Sequence, residues 1–117
     1  MDWRIERINL QLQRGCTLEP RTAIAQLAGS VNLSTSRLRH LFKTETGLSL
    51  KRCLIKSRLE SGRTHLETSL LSVKEISIKV GYTHMSHFVR DFRRVYHATP
   101  AQYRMQRLKR EQSAWLD

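Results

Sequence analysis

Apolar side chains recur along this chain at intervals of three and four, the period of helices buried on one face. No stretch is read as the sustained period-two alternation that marks a half-buried strand. Residues 3–14, WRIERINLQLQR, set Trp3, Ile5, Ile8, Leu10 and Leu12 in a partly helical pattern that ends at Gly15. Pro20 breaks the stretch CTLEPRT, and AIAQLAGSV is then a short apolar helix. In the turn NLS, Asn32 tolerates the left-handed conformation, and Ser34 can cap the next helix by accepting from one of its first N–H groups. That helix, TSRLRHLFKTET, stops at Gly47. Ser49 caps the long helix LKRCLIKSRLESGRTHLET, in which Leu50, Leu54, Ile55, Leu59 and Leu66 keep the helical period. Gly62 in its middle costs about 1 kcal/mol relative to alanine, so packing has to offset it. Ser72, with Glu75 three residues on, forms a capping box that opens VKEISIKV. Gly81 ends that helix, and VGYTHMSHFVRDFRR leads into another. There Met85, Phe88, Phe92 and Val95 make a core stripe, while His84, Ser86, His87, Arg90, Asp91 and Arg94 fall between. Thr99-Pro100 supplies an N-cap and a first-turn proline for AQYRMQRL. The pattern predicts an all-α chain of about seven helices.

The helices repeat. Val31-Asn32-Leu33-Ser34 answers Val80-Gly81-Tyr82-Thr83 at a spacing of 49, and Leu38, Phe42, Lys43 and Ser49 answer Phe88, Phe92, Arg93 and Thr99 at a spacing of 50. Each copy is a short helix, a tight turn, a polar N-cap and a basic helix with an apolar rear. That is the outline of a helix-turn-helix unit, whose second helix enters the major groove. A solenoid of helical hairpins usually needs three or more copies to bury a core, and two are present here. The expected organisation is a leading helix and first helix-turn-helix unit over 1–48 and a linker helix over 49–71. A second unit follows over 72–106, and a polar basic tail over 107–117. The eighteen residues from Leu50 to Glu67 span roughly 27 Å as helix, against about 34 Å between neighbouring major-groove segments on one face of DNA.

Charge narrows the function. The 117 residues hold 21 Lys and Arg against 10 Asp and Glu, a formal net charge of +11. Such an excess points to a polyanion, nucleic acid first and an anionic membrane surface second. No apolar run reaches transmembrane length and no signal peptide is visible, so a cytoplasmic protein is expected. Cys16 and Cys53 are too few and too isolated for a disulfide framework, and no CxxC or HExxH spacing supports a metal site. No nucleophile motif, phosphate-cradling glycine loop or pair of acids supports an enzyme, and no cofactor is expected. The alternative function is a non-specific basic helical module for RNA or an anionic surface. RNA readers usually display aromatics for stacking, and here the aromatics are mostly spent on cores.

The stretches LSTSRLRHLFKTETGLSL, SRLESGRTHLETSLLSVKEISIKVGY and GYTHMSHFVRDFRRVYHATPAQYR resemble the DNA-binding domain of the AraC/XylS family of bacterial transcription regulators. The resemblance covers roughly residues 24–104, and its densest part is Gly81, Ser86-His87-Phe88, Arg90, Phe92-Arg93, Thr99-Pro100 and Tyr103-Arg104. Asn32 stands where the family usually has glycine. The resemblance implies two helix-turn-helix units bridged by a helix, and a function of activating or repressing promoters. Many family members carry a sensor or dimerisation domain ahead of this segment, and regulators of this kind work with RNA polymerase. The expected partner is double-stranded promoter DNA, with a monomer in isolation because one chain holds both readers.

Facing assigns roles to residues. With Leu38, Leu41 and Phe42 inward, Ser36, Arg39 and His40 are the base-reading candidates of the first unit. In the second they are Ser86, Val89 and Arg90. Arg90 leads, because a guanidinium can fork onto O6 and N7 of guanine. Its alternatives are a phosphate clamp or an ion pair with Asp91 or a linker acid. Val89 either meets a thymine methyl or packs between helices. Phosphate contacts are expected from Ser34, Thr83 and Thr99, read as N-caps, and from Thr35, Arg37, Lys43, His84, His87, Arg93 and Arg94. His87 matches a family position where orienting the turn is the other role. Tyr103 and Arg104 are expected to tie the last helix to the second core.

Overall fold

The computed structural model describes residues 2–15 and 18–116. Cys16, one of the two expected free thiols, lies outside them. The described residues form seven α-helices, α1 Trp3–Arg14, α2 Pro20–Ser30, α3 Thr35–Thr46, α4 Leu50–Thr68, α5 Val73–Lys79, α6 Met85–Tyr96 and α7 Pro100–Leu116, and no strand. The chain divides into two units, Met1–Arg58 and Leu59–Asp117, with the boundary inside α4.

In the first unit the core gathers Ile5, Ile8 and Leu12 of α1, Ala23, Ile24 and Leu27 of α2, Leu38 and Phe42 of α3, and Leu50 and Leu54 of α4. Trp3 and Leu10, which belong to the apolar pattern of α1, remain exposed. Pro20 is the first residue of α2 rather than a break before it, where its missing N–H costs nothing. The α2–α3 turn places Asn32 at φ 57°, and Ser34 Oγ accepts from Arg37 N at 3.1 Å. Two side chains tie α4 to the end of α1 and the loop after it. Ser57 Oγ donates to Leu12 O at 2.7 Å, and buried Arg58 donates to Leu18 O. Burial pushes the Cys53 thiol above its ordinary value.

In the second unit a run of tilted rings links Tyr82, Phe88, Phe92 and Tyr96. Tyr103 meets Phe92 edge-on at 5.7 Å between centroids. Leu59, Leu66, Ile76, Val80 and Pro100 are buried as well. Ser72 and Glu75 make both bonds of the expected capping box. Arg104 donates Nε to Leu66 O at 3.2 Å, Nη1 to Leu71 O at 2.7 Å and Nη2 to Ser69 O at 3.2 Å, so one guanidinium satisfies the end of α4 and the loop beyond it. Tyr103 hydrogen-bonds Glu67, and both the burial of its phenol and that carboxylate raise its pKa.

Two expectations about this unit are corrected. Met85 and Val95 are 45% and 46% exposed, while Asp91 is buried and Tyr96 half-buried. The inward places that the apolar spacing gave to Met85 and Val95 are thus shared by Asp91 and Tyr96 instead. Within the polar basic tail expected over 107–117, residues 107–116 continue α7. Nothing in the stretch breaks a helix, and Arg107 pairs with Glu111 four residues on at 3.6 Å and with Glu67 at 3.6 Å.

Candidate nucleic-acid interface

The second helix of each helix-turn-helix pair, α3 after α2 and α6 after α5, is amphipathic. α3 buries Leu38 and Phe42 on one side, which leaves Ser36, Arg37, Arg39, His40 and Lys43 exposed. Thr35 is half-buried. α6 buries Phe88 and Phe92, which leaves Ser86, His87, Arg90, Arg93 and Arg94 exposed. Side chains three and four apart share a helix face, so Ser36, His40 and Lys43 form one stripe and Ser86, Arg90 and Arg93 the equivalent stripe. Each stripe is thus a hydroxyl, a ring or guanidinium, and a cation. Arg39 is exposed, whereas Val89 at the equivalent position is half-buried.

The base-reading candidates therefore gather on one face within each unit. The phosphate candidates do not all do so. Ser34 caps α3, and its neighbours Thr35 and Arg37 stand at the same end of that helix. Thr83 is exposed but is not an N-cap. His84 holds that place, without a side-chain capping bond. The buried ring sets this start, since His84 precedes Phe88 by four residues as Ser34 precedes Leu38. The extra residue of the second turn is taken up ahead of His84. Thr99 does cap α7, with Gln102 N donating to its Oγ1 at 3.2 Å and its own N–H donating to Gln102 Oε1 at 3.0 Å. It follows the C-terminal end of α6, about 18 Å of helix away from His84, so the two do not form one cluster. The His84 and His87 rings meet edge-on at 5.2 Å, which orders the start of α6. Among the described residues no group of three or more His, Cys, Asp or Glu side chains is placed to hold a metal ion, and no helix is long and apolar enough to cross a membrane.

Two residues beside these faces, Arg4 and Tyr82, escaped the pattern, whereas the Arg90–Asp91 ion pair is one of the alternatives named for Arg90. Arg4 of α1 lines an open hollow of about 340 Å³ together with Leu33, Ser36, Arg37, His40 and Leu41. Asp2 accepts from its Nε at 3.1 Å and its Nη2 at 2.8 Å, and that guanidinium holds the Asp2 carboxyl at about 2. In the second unit Asp91 accepts from Arg90 Nε at 3.1 Å and from the Tyr82 hydroxyl at 2.9 Å. Helical periodicity has no means of finding them. Arg4 reaches α3 from a different helix, and the Tyr82–Asp91 bond joins a turn to a helix.

Residues 27–106 match the family model described as a helix-turn-helix domain. The chain belongs to this family, as an AraC/XylS-type DNA-binding domain. It is 31% identical over 103 residues to the HTH-type transcriptional regulator MtrA of Neisseria gonorrhoeae, covering 87% of this chain and 34% of that protein. It is 40% identical over 90 residues to the raffinose operon transcriptional regulatory protein RafR of Pediococcus pentosaceus, covering 77% and 30%. The chain thus spans about a third of the length of these relatives. Its fold is like that of the DNA-binding domain of AdpA, a global transcriptional factor solved with a target DNA. That likeness has a TM-score of 0.81 at 24% identity, over 91% of this chain and 94% of that one.

Proposed function

We propose that this AraC/XylS-type domain binds double-stranded promoter DNA sequence-specifically, with α3 and α6 each reading a segment of the major groove. The observation that carries the reading is the repeated stripe, Ser36-His40-Lys43 on α3 and Ser86-Arg90-Arg93 on α6, each backed by two buried side chains. Ser36, Arg39 and His40, and Ser86, Val89 and Arg90, face base edges. The first-turn N–H groups of α3 and α6 suit phosphate oxygens, joined by Ser34, Thr35, Arg37, Thr83, His84 and His87. Lys43, Arg93 and Arg94 neutralise the walls of the groove. Thr99 contributes as the cap of α7. In this role the chain is the DNA-reading segment of a cytoplasmic transcription regulator. RNA polymerase and a sensor or dimerisation domain are its further partners, and the isolated domain is a monomer.

Selection of bound duplexes from a random library of about 25 base pairs tests this, since two grooves one helical turn apart fit that length. The expected product has two short conserved blocks. Arg90→Ala erases preference in one block, where a bidentate base contact is worth about 1–3 kcal/mol, and leaves affinity for random DNA nearly intact. Tight binding with no motif would overturn the sequence-specific reading in favour of a non-specific basic module.

A further inference from the structure

The two reader helices differ in how one outward side chain is held. In the second unit the Arg90 side chain is 59% exposed while that of Asp91, the next residue, is 12% exposed. The Asp91 carboxylate is spanned by two donors. The Tyr82 hydroxyl donates to Oδ2 at 2.9 Å, and Arg90 Nε donates to Oδ1 at 3.1 Å. In the first unit the equivalent positions are Leu33, 49 residues before Tyr82, and Leu41, 50 residues before Asp91. Both leucines are partly buried against that unit's core. The same turn and helix therefore close with an apolar pair, which carries no desolvation cost. A buried carboxylate does carry one and is tolerated only where donors compensate it. The helix-turn-helix plan accordingly does not require Tyr82 and Asp91. What they add is an anchor under Arg90.

We propose that Tyr82 and Asp91 are positioning residues that aim Arg90 at a guanine. This rests on the reading of Arg90 as a base reader. A bond through Nε fixes the plane of the guanidinium and uses neither terminal nitrogen. Nη1 and Nη2, the two that fork onto O6 and N7 of guanine, stay directed outward. The long side chain is then partly ordered before DNA arrives, so binding has less rotamer freedom to freeze. The Tyr82 hydroxyl acts in the same way at one remove, since it fixes the carboxylate that fixes the arginine. Tyr82 itself is held by its ring, 5.4 Å from that of Phe88. The equivalent residue of the first unit, His40, follows a turn and precedes a leucine that offer no such carboxylate.

The test is duplex selection and competition binding with the full chain in four forms. Arg90→Ala identifies the block, and the guanine within it, that Arg90 reads. Tyr82→Leu with Asp91→Leu installs the first unit's own pair. It is expected to lower discrimination at that guanine about fivefold or more, the low end of a bidentate base contact. Affinity for random DNA is not lowered, since the pair removes a carboxylate and no cation, and preference in the other block stays unchanged, which a merely destabilised domain would not allow. With Arg90→Ala already in place, the leucine pair brings no further loss at that guanine. Tyr82→Phe keeps the ring and removes only the hydroxyl, so it decides the matter where the leucine pair fails to fold. It is expected to lower discrimination at the same guanine. If Arg90→Ala abolishes the preference while Tyr82→Phe and any folded leucine pair retain it in full, the positioning role is overturned. If Arg90→Ala itself leaves every preference intact, Arg90 is no base reader and the inference falls with that reading.

Discussion

At Gly62 the preference of a helix and the packing around it pull in opposite directions. Alanine in mid-helix is favoured over glycine by about 1 kcal/mol. A Cβ at Gly62 would stand 2.9 Å from both Cε1 and Cζ of Phe88, a ring with no exposed surface. Gly62→Ala is therefore expected to destabilise the domain by about 1–3 kcal/mol, the usual cost of overpacking, and a thermal melt at or above that of the wild type would contradict this. His97 is the reverse case. It ends α6 at φ 60°, where Gly47 ends α3 at φ 75°. A left-handed residue other than glycine costs about 1–2 kcal/mol, and glycine gives back some of that advantage as chain entropy. His97→Gly should raise the midpoint of chemical denaturation by the equivalent of roughly 0.5–1 kcal/mol. A lowered midpoint would show that the His97 side chain contributes more than its backbone strain costs. The sequence names glycine at 62 as an anomaly but not the ring that demands it, because that ring is 26 residues away.

Among the elements, α6 shows how far periodicity reaches. The spacing of Phe88 and Phe92 identifies the buried side, and both rings have no exposed surface. The same spacing extends the stripe to Met85 and Val95, which are exposed. Asp91 takes an inward place, which no hydrophobic pattern assigns to a carboxylate. Phe92 is the centre of the second core, with ring centroids of Phe88, Tyr96 and Tyr103 at 5.7, 4.6 and 5.7 Å. Phe92→Ala should cost about 3–5 kcal/mol through the cavity it leaves. A wild-type denaturation curve for that variant would mean the rings close over the space. The exposed face of α6 proposed to read DNA lies on the back of this core, so the variant should lose DNA binding in step with folding. The start of α6 was legible only to within one residue. Thr83 and His84 both suit a turn, and burial of Phe88 chooses between them.

For the whole molecule the controlling quantity is charge. A net +11 over 117 residues makes the attraction to DNA strongly dependent on ionic strength. Each phosphate neutralised should add about 0.9 to the slope of log affinity against log salt, and fluorescence anisotropy on a random duplex measures it. A slope near zero would exclude a phosphate-tracking surface. Arg93→Ala should reduce the slope by about one and leave base preference in place, in contrast to Arg90→Ala. Not every cation is available for this. Arg58 and Arg104 are committed to backbone carbonyls, so the formal charge overstates the charge open to DNA.

The helices, their caps and the repeat are local properties. Ser34, Ser72, Thr99 and Gly47 act on residues within a turn of themselves, and helical period shows which side of each helix is apolar. That much the sequence determined by itself, together with the family and the two outward stripes. Tertiary structure alone decided which apolar residues are covered, why Gly62 has no side chain, and what Arg4, Arg58, Arg90 and Arg104 touch. Most of those outcomes depend on contacts between residues far apart in the chain, as Arg58 with Leu18 and Arg104 with Leu66, while Arg4 and Arg90 meet the near neighbours Asp2 and Asp91. A periodic pattern gives the direction in which a side chain points but not what it meets there.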